Sequence, residues 1–179
     1  MTATSTVIEK YFISTIEASQ ALYDKNLIGH LLVIIYSTID TLGLLDAPIH
    51  QTAVTGDSFK SWVTKYLLTN RSFEFNATDL WAARCGLLHS FTSDSNLART
   101  GQVRQLQYYQ GDNTCESAIQ LETLAKSIDN GKHLMVNVEN FYMGFLDSVA
   151  QFAAELELKC HKSEVHKKRL RSIFLQHSL

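Results

Sequence analysis

The run from Leu27 to Leu45, LIGHLLVIIYSTIDTLGLL, constrains this chain more than any other stretch. It is apolar on almost every side and about long enough to cross a bilayer. Asp40 decides between the two readings, because a carboxylate in mid-bilayer is costly, and His30, Ser37, Thr38 and Thr41 add more polar groups. No aromatic belt or basic cluster marks the ends of the run. The expectation is therefore the central helix of a packed bundle, not a membrane span. Asp40 then needs a cationic partner inside the fold.

The rest of the chain fits a helical frame. A single proline, Pro48, leaves long helices unbroken. Ile8, Phe12, Ile16 and Tyr23 recur at helical spacing between Thr6 and Tyr23. Beyond the loop at Pro48, Phe59, Trp62, Val63, Tyr66 and Leu67 mark one face of a third helix, with Asp57 as its expected N-cap. Thr78 is the expected cap of a fourth, DLWAARCGLLHSFTS, and SDSNLARTGQ reads as a loop. Val103–Gln110 and HLMVNV read as extended, the latter with Leu134, Val136 and Val138 on one side, and a short helix over Ser117–Ile128 lies between them. Phe141, Phe145, Val149, Phe152 and Leu156 then line a long helix over Asn140–Leu158. A basic last helix docks through Leu170, Ile173 and Phe174. The predicted fold class is mainly all-α, a helical bundle with a small β insertion, in one domain over residues 1–179.

Composition narrows the function classes. With 179 residues, 45% of them hydrophobic, the chain is long enough to bury a real core. A net charge of -2 and a pI of about 6.4 argue against a protein that coats nucleic acid non-specifically. The cysteines, Cys85, Cys115 and Cys160, are odd in number and lack CxxC spacing, so neither a disulfide framework nor a zinc site is expected. The first residues, MTATSTVIEK, lack the basic and apolar regions of a signal peptide. The expected location is the reducing cytoplasm, and the sequons at Asn70 and Asn76 carry no meaning there.

One motif bears chemistry. Arg84-Cys85-Gly86-Leu87-Leu88-His89 places an arginine, four residues and a histidine on the fourth helix. An arginine offers a planar, always-charged fork for phosphate, and a histidine can take a ribose 2′-hydroxyl proton. In its helical setting the motif resembles the HEPN superfamily. These are small helical domains, many of them metal-independent ribonucleases of toxin–antitoxin, CRISPR and antiviral systems. The resemblance implies that Arg84 and His89 are catalytic and that no cofactor or metal is required. It also implies a homodimer that brings two such pairs to one cleft, RNA as substrate, an antitoxin protein as a possible partner, and products ending in 2′,3′-cyclic phosphate. Cys85 departs from the polar residue, often asparagine, that usually follows the arginine. The different-class alternative is a catalytically silent HEPN-like scaffold that binds a partner protein or nucleotide.

Residues five apart on an ideal helix are separated by about 140°. Arg84 lies inside the apolar stripe of Leu80, Ala83, Leu87, Leu88 and Phe91, whereas His89 points away from it. A dimer wrapping both sides of the helix would resolve this. Asp40 is the natural partner of Arg84, either as a plain buried ion pair or as the group that orients the arginine for catalysis.

Weaker constellations surround the motif. Cys85 and His89 share a helix face, as a thiol–base pair or two metal ligands would, without a third ligand at convincing spacing. Lys159, Lys162, Lys167, Lys168, Arg169 and Arg171 either steer RNA or form a solvated face. Trp62 and Tyr66 read as core. Tyr108 and Tyr109 fit a strand as well as a base-stacking role.

Overall fold

The computed structural model describes residues 3–173. Helix α1 (Ala3–Asp24) packs on α2 (Ile28–Asp46), the apolar run. Leu31, Ile35, Tyr36, Ile39 and Leu42 of α2 are fully buried, as its all-round apolarity requires. Among the described residues α2 is the one helix long and apolar enough to cross a membrane, and 56% of that window is buried inside the protein. On α1, Ile8 and Phe12 reach the core, but Ile16 is exposed and Tyr23 stacks on Tyr142 instead.

Helix α3 (Gly56–Trp62) is capped by Thr55, not Asp57. The Thr55 and Ser58 side chains each take the other's backbone N–H, a capping box with serine in the usual place of glutamate. The helix runs on through a π-helical turn (Val63–Leu67) and a final turn (Leu68–Asn70). The wider turn keeps Trp62, Val63, Tyr66 and Leu67 all in the core.

Helix α4 (Ala77–Ser90), which carries the arginine–histidine motif, is capped by Asn76 rather than Thr78. Asn76 Oδ1 accepts from the amides of Thr78 and Asp79, and Asp79 Oδ2 accepts from the Asn76 amide. Asp79, 2% exposed, also takes the Arg104 amide and two bonds from its guanidinium. This pins the first turn of α4 to the start of the β element. The stretch read as a loop contains the short helix α5 (Asn96–Arg99), capped by Ser95.

Strand β1 (Gln105–Tyr109), helix α6 (Glu116–Ser127) and strand β2 (His133–Asn137) form a β-α-β insertion. The strands are parallel, with Gln105 opposite His133 and Tyr109 opposite Asn137. Leu106, Leu134 and Val136 face the core. Strand β2 runs straight into α7 (Val138–Lys162), where Asn137 is the N-cap. Phe141, Phe145, Val149, Phe152 and Leu156 are buried along one side of α7, as their spacing predicts.

Helix α8 (Glu164–Arg171) docks through Leu170; Phe174 lies outside the described residues. Arg169 donates to the carbonyls of Leu44, Ala47, Pro48 and Gln51, satisfying backbone acceptors at the end of α2. The fold is thus mainly helical with a small two-stranded sheet.

Candidate functional site

Helices α2 and α4 meet at Asp40 and Arg84. Arg84 Nε and Nη2 both donate to Asp40 Oδ2, at 2.9 and 2.5 Å. The two side chains are only 16% and 11% exposed, so their ion pair lies in a poorly solvated setting. The guanidinium also sits over the Trp81 ring, 5.0 Å from its centroid, one helical turn earlier. These contacts fix the arginine in one orientation and leave Nη1 outside the pair.

The apolar character of α2 puts Asp40 in that setting, and burial pushes its carboxyl above the usual 3.8. The Arg84 hydrogen bonds, the Arg84 charge and, more weakly, the His89 charge pull it back. Arg84 thus contacts Asp40 directly, whereas among the described residues His89 makes no hydrogen bond or ion pair with it. His89 is exposed on the last turn of α4, where the helix dipole favours a cation.

Beside the pair is an open depression of about 660 Å³, with Trp81, Cys85, His89, Ser95, Asn96 and Arg99 among its lining residues. Gly86 shapes it. A Cβ there would lie 2.7 Å from the Asp94 carbonyl oxygen and 2.8 Å from that of Thr92, so the segment after α4 folds back onto the helix only because residue 86 is glycine. Gly86 thus serves close approach. Burial pushes the half-buried Cys85 thiol up, with Arg84 opposing.

Sequence reasoning missed Arg99, which reaches the depression from α5 and pairs with Asp94 at 3.1 Å. The signal was the capping serine Ser95, hidden in a polar stretch. Phe91 was placed in the buried stripe but is 55% exposed, because it ends α4 in a left-handed conformation (φ 52°, ψ 40°).

The aromatic candidates and part of the basic tail make contacts within the fold. Trp62 and Tyr66 are fully buried. The Tyr108 hydroxyl bonds that of Tyr36 in the core, and Tyr109 donates to Glu122. Of the basic tail, Arg169 holds the end of α2, Lys159 pairs with Asp46 and Lys167 with Glu164. Among the described residues no three His, Cys, Asp or Glu side chains converge as a metal site would require. Comparison of the chain with family models, curated proteins and solved structures gives no match.

Proposed function

We propose that this chain is a metal-independent endoribonuclease of the HEPN kind, acting as a cytoplasmic homodimer in a prokaryotic toxin–antitoxin or defence system. Arg84 and His89 are its catalytic pair, and Asp40 orients the arginine. One observation carries the reading: Asp40 and Trp81 hold Arg84 in a fixed orientation on the helix whose last turn presents the exposed His89 to an open depression.

The chemistry follows from the residue types. His89 takes the proton of a ribose 2′-hydroxyl, and the freed oxygen attacks the adjacent phosphorus. Arg84 faces the charge that builds on the phosphoryl oxygens, pre-aligned by Asp40 and Trp81 so that little reorganisation is needed. The bond to the 5′ oxygen breaks, leaving a 2′,3′-cyclic phosphate. The leaving oxygen is protonated by an imidazolium, which the second pair of a dimer supplies.

The second reading, a silent scaffold that binds a partner protein or nucleotide, is favoured by the same ion pair. Arg84 commits Nε and Nη2 to Asp40, and Cys85 stands at the position that is usually polar in the resembling family.

Cleavage of a fluorescent single-stranded RNA in excess EDTA separates the two. The dimer, verified by light scattering, should cut, and His89→Ala should lose about 100-fold or more of that activity. Its melting temperature should hold, because the histidine is exposed. Full cleavage by His89→Ala, or activity that needs added magnesium, rejects the proposal.

A further inference from the structure

Phe91 lies two residues beyond His89, and its conformation is unusual for its type. Its φ of 52° is in the left-handed region, where glycine and asparagine sit at little cost and a bulky aromatic side chain is an outlier. The conformation ends α4 and turns the ring onto the first turn of α2. There Cζ would be 2.6 Å from a Cβ at residue 29, so only Gly29 makes room for it. The ring centroid is 5.4 Å from that of His30, with the rings tilted by 52°. A backbone bond from the Phe91 amide to the Leu87 carbonyl, 2.9 Å, holds the cap. So an aromatic ring is locked by backbone, glycine and imidazole, yet more than half of its surface stays open.

We infer that Phe91, with His30 beside it, is a stacking platform for a nucleobase of single-stranded RNA. The inference rests on the ribonuclease reading for its choice of ligand and extends it to substrate class. An immobilised aromatic face binds any base through its π surface at small entropic cost, and base–aromatic stacking is sequence-tolerant. A base in a duplex is already stacked on both sides, so the platform selects unpaired RNA. From Arg84 to Ser90, the residue before Phe91, α4 rises about 9 Å at 1.5 Å per residue, close to the span of three stacked nucleotides. A strand with its scissile phosphate at Arg84 and His89 therefore lays a nearby base on Phe91.

The test uses a fluorescein-labelled 2′-O-methyl hexanucleotide, which lacks the attacking hydroxyl, so binding is read apart from cleavage. Phe91→Asn keeps the left-handed backbone and removes the ring; it should weaken binding about ten-fold. Phe91→Trp should restore it, with the fluorescence of the introduced tryptophan quenched on saturation. A duplex of the same sequence should bind more weakly than the single strand. Binding by Phe91→Asn within two-fold of the parent, an unquenched tryptophan at saturation, or no binding by the parent would each overturn the inference. So would dissociation of the dimer in Phe91→Asn with affinity per protomer unchanged, which assigns the ring to a subunit contact. If Phe91→Asn fails to fold, the tryptophan signal decides. Ring-dependent binding without cleavage of the 2′-hydroxyl version leaves this inference standing and removes the ribonuclease. Cleavage with an unchanged KM in Phe91→Asn does the reverse.

Discussion

Arg84 directs both of its hydrogen bonds with Asp40 to a single oxygen, Oδ2, and leaves Oδ1 buried without a partner among the described residues. The carboxylate thus depends on one side chain for its hydrogen bonds. Arg84→Ala should strand it and cost roughly 3–5 kcal/mol. The double change Arg84→Ala with Asp40→Ala should recover much of that stability and none of the ribonuclease activity. Thermal melts of the two single variants and the double, run beside RNA cleavage, measure both effects. Additive melts would remove the coupling, and recovered cleavage would remove Arg84 from the chemistry.

Gly86→Ala should lower the melting temperature, by about 1–3 kcal/mol of stability, because its Cβ meets backbone oxygens that cannot rotate away. The same change pushes the Thr92–Asp94 segment off α4 and alters the depression. RNA cleavage should therefore fall further than the melt alone explains. A melt equal to the parent's would mean that the segment yields freely.

Asp79→Ala should cost about 3 kcal/mol, the low end for a broken buried pair. It removes half of the capping box of α4 and three bonds to Arg104. The cost stays at the low end because Arg104 is a third exposed and regains water. Urea unfolding of this variant and of Asp79→Asn should both show the loss, the asparagine variant less of it.

His166 gives a pH dependence. Burial pushes its imidazole below the usual 6.5, with Arg169 and Lys159 adding repulsion, and its Nδ1 is buried without a partner among the described residues. A folded value below the unfolded one means that protons favour the unfolded chain. The stability from this group is present above pH 6.5 and is lost as pH falls through the depressed value. Melting temperatures should decline over that window, and His166→Gln should flatten the decline. An unchanged slope in that variant would assign the dependence elsewhere.

The helical frame was legible because burial imposes period on sequence. Phe141 to Leu156 on α7 and Phe59 to Leu67 across the π-helical turn sit in the core as their spacing requires. The partnership of Asp40 with Arg84 was legible too, since a charge in an apolar helix demands one. Cap identity was not. Asn76 and Thr78 are both competent, and the choice falls to Asn76 because Asp79 completes the box and is itself held by Arg104, a tertiary contact. Extended structure was foreseen at both strands, but their parallel pairing depends on α6 crossing between them. The left-handed turn at Phe91 leaves no trace in composition, because phenylalanine ordinarily avoids it.

The parallel ladder bears on how the chain reaches this state. Gln105 meets His133 only after all of α6 has intervened, whereas each helix is built from neighbours in sequence. Closing that loop costs entropy before any strand bond repays it. Native-state hydrogen exchange should show the two-stranded ladder opening at lower free energy than α2 and α7, whose buried amides wait for global unfolding.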